Sequence, residues 1–132
     1  MSSESEANKA LIRAHYQATT NDFDPAAIDR QVGEDFYDHA AGTRMGPEGV
    51  KQHLTALHAA FPDLEVTIEE MVAEGPIVAV RATWRGTPAA PAGAHPVQFG
   101  GMVFWRIADG KIRERWASID TAAAQPARAS AA

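Results

Sequence analysis

At Leu64 the hydrophobic rhythm of this chain changes, and that change constrains the fold more than any other feature. Before it, apolar side chains recur at helical spacing: Ala7, Leu11, Ala14 and Ala18, with Ile12 and Tyr16 on the adjacent stripe, and later Val50, Leu54, Leu57 and Phe61. After it they alternate with their neighbours, as in Leu64, Val66 and Ile68, or Val78, Val80, Ala82 and Trp84. A chain that spends its first half on helices and its second on strands buries the stripe of one against the face of the other, which is an α+β arrangement.

The breaks between elements follow from turn chemistry. The first helix runs to about residue 20, and Asp24-Pro25 reads as an N-cap with proline in the first turn of a short helix through Ala27, Ile28 and Val32, ended by Gly33. Phe36 to His39 is a short extended piece, followed by a loop; Pro47 opens a third helix and Pro62 stops it. Gly75-Pro76 and Asp109-Gly110 are turns, so the final four strands form a meander of antiparallel neighbours. Gly100-Gly101 inside a strand predicts a bulge or sharp bend. The expected fold is therefore a cone-shaped, curved antiparallel sheet wrapped around three N-terminal helices, with a ligand site at the mouth of the cone. Residues 1–121 form the single domain, and the alanine-rich residues 122–132 are expected to be a disordered tail.

A length of 132 residues with 45% hydrophobic content suits one compact core. The net charge of −5 disfavours nucleic acid and anionic membrane as partners, because both require a basic face. No stretch has the length of a membrane span and the start lacks a signal-peptide pattern, so the expected location is cytoplasmic. Without cysteine the chain has no disulfide and no thiolate nucleophile. Lys9, Lys51 and Lys111 fall where solvated ammonium groups are expected, which argues against Schiff-base chemistry. His53 and His58 are five apart and do not share a helical face, while His15, His39 and His95 are isolated, so no metal site and no cofactor are expected.

Asp120 closes the last strand, and alternation places it on the same side as Trp116 and Ser118, opposite Arg113 and Arg115. A carboxylate beside an indole loses hydration and becomes able to exchange protons near neutral pH. A solvated strand end is the alternative. Trp84, Trp105 and Trp116 cannot all be pocket residues, and parity with Asp120 favours Trp116 as the pocket wall. Gln98 and Met102 share a side of their strand if the double glycine does not bulge, and are candidate ligand contacts. Arg81, a charge amid apolar strand residues, either pairs with a carboxylate or reaches the cavity.

Several phrases together carry a resemblance. Phe36-Tyr37-Asp38-His39, Gly46-Pro47-Glu48-Gly49-Val50, Ala60-Phe61-Pro62-Asp63-Leu64 and the run from Phe104 to Ile112, with Trp116 and Asp120, resemble the SnoaL-like polyketide cyclases of the nuclear-transport-factor-two-like superfamily. The resemblance implies a cone-shaped α+β fold and a hydrophobic, carbonyl-rich ligand. It also implies a homodimer formed through the exposed sheet face. It implies ring closure of a polyketide-type ester by intramolecular aldol condensation without a metal, with Asp120 as general acid/base. His39 is the second catalytic candidate, as a hydrogen-bond donor to a substrate carbonyl, and Phe36 and Tyr16 are further substrate-binding candidates. Asp38 competes with Asp120, because ketosteroid isomerases, similar only in fold, take their base from this region and an oxyanion-stabilising tyrosine from the first helix. Pro88 and the alanine-proline loop after it depart from the family's pattern, which bears on substrate selectivity. The alternatives are a non-catalytic binding protein for a small hydrophobic ligand, and an isomerase or epoxide hydrolase of the same fold.

Overall fold

The computed structural model describes residues 3–120; the tail expected to be disordered lies outside the described residues. Helix α1 spans Ser3–Tyr16 and passes directly into a π-helical turn, Gln17–Asn21. Asp24 caps α2, Pro25–Gln31, by accepting a hydrogen bond from the Ala27 amide at 3.3 Å. Strand β1 is Val32–Asp38 and the two-residue β2 is Thr43–Arg44. Helix α3, Gly46–Ala60, starts with Pro47 in its first turn, and β3, Glu65–Glu74, begins where the hydrophobic period changes. Strands β4, Ile77–Gly86, β5, Val97–Ala108, and β6, Lys111–Ile119, complete the fold.

One six-stranded sheet runs in the order β2-β1-β6-β5-β4-β3, curved and unclosed, with the helices on one face. The meander β3 to β6 is antiparallel as expected. Its hairpin at Asp109-Gly110 has positive φ at both residues (54° and 72°), the geometry that asparagine, aspartate and glycine tolerate best. The expectation of an antiparallel sheet needs one correction: β1 pairs with β6 in parallel, so the sheet is mixed. A second correction concerns α2, which stops at Gln31; Val32 is already extended and pairs with Ile112. A β-branched residue with a buried cross-strand partner is better served by the sheet than by one more helical position.

The double glycine does not bulge. Strand β5 keeps its register through Gly100 and Gly101 against both neighbours, and the irregularities lie at Ile68/Glu70 and Arg106/Ile107 within the meander and between Val32 and Tyr37 in the β1–β6 pairing. Alternation along β5 is therefore unbroken: Val103, Trp105 and Ile107 are buried beneath the helices, while Gln98, Met102 and Phe104 are exposed on the outer face. Gly101 instead permits close packing of β6, since a Cβ there would stand 2.7 Å from Ile119 Cγ1 and 3.1 Å from the Ser118 carbonyl oxygen. Gly101→Val is expected to destabilise the protein by roughly 1–3 kcal/mol. Gly100→Ala, whose Cβ would meet nothing nearer than 3.7 Å, is expected to be close to neutral. Urea denaturation midpoints of the two variants check the contrast.

Candidate functional site

Between the helices and the inner face of the sheet lies a cavity of about 430 Å³. Its walls are mostly apolar and come from every layer: Leu54 and Leu57 from α3, Phe61 beyond it, Phe36 from β1, and Trp84, Phe99 and Ile119 from the sheet. The helical stripe Val50, Leu54, Leu57 and Phe61 thus does two jobs, with its first two members buried in the core and the last two half-buried on the cavity wall.

Three of the polar side chains that line the cavity, Tyr16, His15 and Arg115, meet at one residue, Trp105. Its indole N–H donates to the Tyr16 hydroxyl oxygen at 3.3 Å, and the two rings meet edge to face at 5.7 Å. The His15 ring meets the same indole edge to face at 5.3 Å, and the Arg115 guanidinium carbon stands 5.6 Å from its centroid. Residues 15 and 16 both reach it because they end α1 over the middle of the sheet, where the helix passes into its π-helical turn.

Arg115 faces the cavity and is held there by Asp38, its register partner across the parallel β1–β6 joint. Its Nη1 donates to both Asp38 oxygens, at 3.0 and 3.2 Å. Asp38 Oδ1 also accepts from the Ala40 and Ala41 amides, at 2.9 and 3.4 Å, so that one buried carboxylate orients the arginine and closes the loop after β1. Asp38 is the sole carboxylate on the cavity lining among the described residues.

Burial pushes the His15 imidazole down to about 4; the hydrogen bond to Gln31 opposes that shift and the charge of Arg115 adds to it. Its Nδ1 lies 2.9 Å from Gln31 Oε1, an acceptor, so Nδ1 carries the hydrogen and Nε2 is bare in the neutral ring. Burial likewise pushes the Tyr16 hydroxyl up to about 12, against the smaller opposite effects of Trp105 and Arg115. Both side chains are therefore neutral at neutral pH.

The candidates from the sequence divide between two faces. Tyr16 and Phe36 line the cavity, as does Asp38. Asp120, His39, Trp116, Gln98, Met102 and Arg81 are not among its lining residues. Asp120 shares its side of β6 with Trp116 as expected, but Trp116 and Ser118 are on the exposed face, and the alternate residues Arg115 and Ile119 are the ones that reach the cavity. Asp120 itself is exposed, one residue beyond Ile119, with its amide donating to the Gly100 carbonyl at 2.9 Å. Trp84 and Trp105 supply the indoles of the cavity in place of Trp116. His39 stacks on Trp116 at 4.6 Å on the outer face and bonds Glu114 at 2.9 Å. That bond, followed by the one from Arg106, holds the Glu114 carboxyl below its usual range. Arg81 pairs with a carboxylate, Glu70, at 2.9 Å, and Gln98 and Met102 are exposed because β5 does not bulge.

Sequence reasoning missed His15, Trp105 and Arg115. The available signal for Arg115 was its position as a charge sharing alternation with Ala117 and Ile119, on the side of β6 opposite Trp116. Among the described residues no three His, Cys, Asp or Glu side chains gather in a set that would hold a metal ion, and no helix is long and apolar enough to cross a membrane.

A helix-lined cone closed by one curved mixed sheet, with an apolar cavity and a polar cluster at its inner wall, defines a class of small α+β pocket proteins. Within that class the chain belongs to the SnoaL-like polyketide cyclase family, whose sequence profile matches residues 10–127. Among solved structures, a candidate polyketide cyclase from Acidithiobacillus ferrooxidans is similar over 100% of both chains, with TM-score 0.83 and 20% identity. A SnoaL-like polyketide cyclase from Agrobacterium tumefaciens C58 is similar over 92% of this chain and 97% of its own, with TM-score 0.78 and 22% identity. AclR of Streptomyces galilaeus, a candidate hydroxylase, is similar over 93% of this chain and 96% of its own, with TM-score 0.76 and 22% identity. Likenesses at these identities show the fold alone, a curved sheet over three helices, because one fold carries many reactions. No curated protein matches the chain.

The depressed His15 pKa has a consequence for stability. A histidine whose folded value lies below its unfolded one stabilises the fold above the unfolded value and loses that contribution as pH falls through the folded value. Between pH 7 and pH 4 the stability advantage of wild type over His15→Gln is expected to shrink by about 3 kcal/mol, from 6.5 falling to about 4 at 1.36 kcal/mol per unit. Denaturant titrations of both proteins at the two pH values measure the difference.

Proposed function

We propose that the protein is a cytoplasmic cyclase that binds a hydrophobic, carbonyl-rich polyketide-type ester in the cone and closes a ring by intramolecular aldol condensation. The supporting observation is the cavity, whose apolar walls suit a fused or ring-forming carbon skeleton and whose one carboxylate among the described residues, Asp38, pairs with an arginine that shares the lining with a tyrosine and a histidine. A base removes a proton from carbon flanked by carbonyls, the resulting carbanion attacks a ketone carbon of the same molecule, and the new alkoxide takes the proton back. One carboxylate serves both transfers, and the conjugated carbonyls of the ligand delocalise the charge, so the chemistry needs no electron-sink cofactor.

Asp38 is the carboxylate that geometry favours. Its Oδ2 accepts only from Arg115, which leaves a lone pair free for a ligand proton on the cavity lining. Asp120, the family's acid/base position, supplies a second reading with its own support: it follows Ile119, a lining residue, and pairs beside Phe99, another. From there it would act on the end of a ligand that projects from the mouth. Turnover of a panel of aromatic polyketide-type esters, followed by loss of the open-chain chromophore, separates the two. Asp38→Asn is expected to lower turnover by about 100-fold or more while Asp120→Asn stays near wild type. The reverse pattern moves the acid/base role to the strand end, turnover unchanged in both contradicts either carboxylate as the base, and no turnover in wild type leaves a binding protein.

The same reading pairs two copies of the chain through the outer sheet face. Val72 is 65% and Met102 62% exposed there, beside Phe104 and Trp116, an apolar area larger than scattered surface residues produce. Met102→Glu is expected to convert a dimer into a monomer in light scattering at micromolar concentration; a monomeric wild-type mass contradicts the pairing.

A further inference from the structure

We infer that the Trp105 end of the cavity is an oxyanion site, in which Arg115 and Tyr16 hold the ionised oxygen of an acidic 1,3-dicarbonyl or phenol. This rests on reading the cavity as a carbonyl-ligand site and names the ligand chemistry it selects: compounds whose enolate or phenolate forms readily.

The donors are set before any ligand arrives. Asp38 occupies only Nη1 of Arg115, and among the described residues no hydrogen bond engages its Nε or Nη2, although the side chain lines the cavity. The Trp105 face beneath the guanidinium fixes its plane. Tyr16 is oriented by the same indole: its oxygen already accepts the Trp105 N–H, so its own hydrogen is left for a partner in the cavity that it lines. Burial keeps that hydrogen in place up to about 12, so the hydroxyl donates throughout the neutral range. Donors held in place on one cavity wall before a ligand arrives cost little reorganisation when charge develops beside them, and the apolar walls make them count for more than in water.

Charge balance favours an oxygen anion as the occupant. Arg115 is the sole lysine or arginine on the lining among the described residues, and His15 beside it is neutral. Asp38 offsets the arginine at rest, with part of its own charge taken up by the Ala40 and Ala41 amides. When a proton moves from ligand carbon to Asp38, the carboxylate becomes neutral and the enolate becomes the partner of Arg115. The net charge of carboxylate, guanidinium and ligand is the same before and after, so no unpaired charge is created in the apolar site. A neutral ketone bound there becomes the better ligand as it ionises, which is the differential binding that catalysis requires.

A phenol tests this by sign. An apolar cavity without oxyanion donors raises the pKa of a bound phenol by desolvation, whereas fixed donors lower it. Absorbance of 4-nitrophenol, titrated with excess protein, reads the phenolate directly. The expected result is a bound pKa at least about one unit below the free value, a tenfold preference for the phenolate. Arg115→Met is expected to reverse the sign of the shift. Tyr16→Phe, which removes only a hydroxyl and keeps the ring packing, is expected to shrink it, and Asp38→Asn to deepen it by removing the competing anion. Binding with a raised pKa in wild type overturns the oxyanion site and leaves the hydrophobic-cavity reading standing. Failure of the phenol to bind at all overturns both.

Discussion

The ion pair between Asp38 and Arg115 is the contact on which the architecture turns. It spans the one parallel joint of the sheet, where β1, separated from the meander by the whole of α3, is brought beside β6. The joint is reinforced by the His39 amide, which donates to the Arg115 carbonyl at 2.8 Å, and by the two amides that close the following loop on Asp38. A buried charge without its partner is costly, so each of these two residues makes the other necessary. Because both side chains point toward the helices, the pair that joins the strands also places a cation and an anion in the cavity wall.

Trp105 turns that joint into a site. An indole has one donor and two faces, and here the donor is spent on Tyr16, while its ring meets the imidazole of His15 and the guanidinium of Arg115. Packing and polarity are satisfied by the same contacts: among the described residues no buried side-chain polar atom is left without a partner. Core residues and candidate site residues are therefore not separable sets in this protein. Tyr16 and Trp105 belong to the buried core and also border the cavity.

Much of the fold was legible in the sequence because it rests on local signals. The switch of period at Leu64, the proline that opens α3 and the Asp109-Gly110 turn each determine an element without help from distant parts of the chain. The site was less legible for two physical reasons. Alternation tells which residues share a side of a strand, and it did so correctly for Trp116, Ser118 and Asp120. It does not tell which side meets the helices when both sides carry large apolar groups. Strand β5 buries Val103 and Trp105 but exposes Met102 and Phe104, and β6 exposes Trp116 while turning Arg115 inward, so the polarity of the two faces is close to inverted at those positions. The second reason is the parallel pairing of β1 with β6. A long-range pairing leaves no local mark, so the partnership of Asp38 with a residue 77 positions away was out of reach.

The proposed division puts ligand chemistry on the inner face, at the polar cluster around Trp105, and association on the apolar outer face. A crystal structure with 2-acetyl-1-naphthol, an aromatic hydroxyketone that offers two adjacent oxygens on a flat apolar body, tests that division most directly. The prediction is that the rings lie in the cavity against Trp84 and Phe61, with an oxygen within hydrogen-bond distance of Arg115 and Tyr16. Rings bound in the cavity with both oxygens turned away from Arg115 and Tyr16, or a ligand found only on the outer face beside His39 and Trp116, would contradict it.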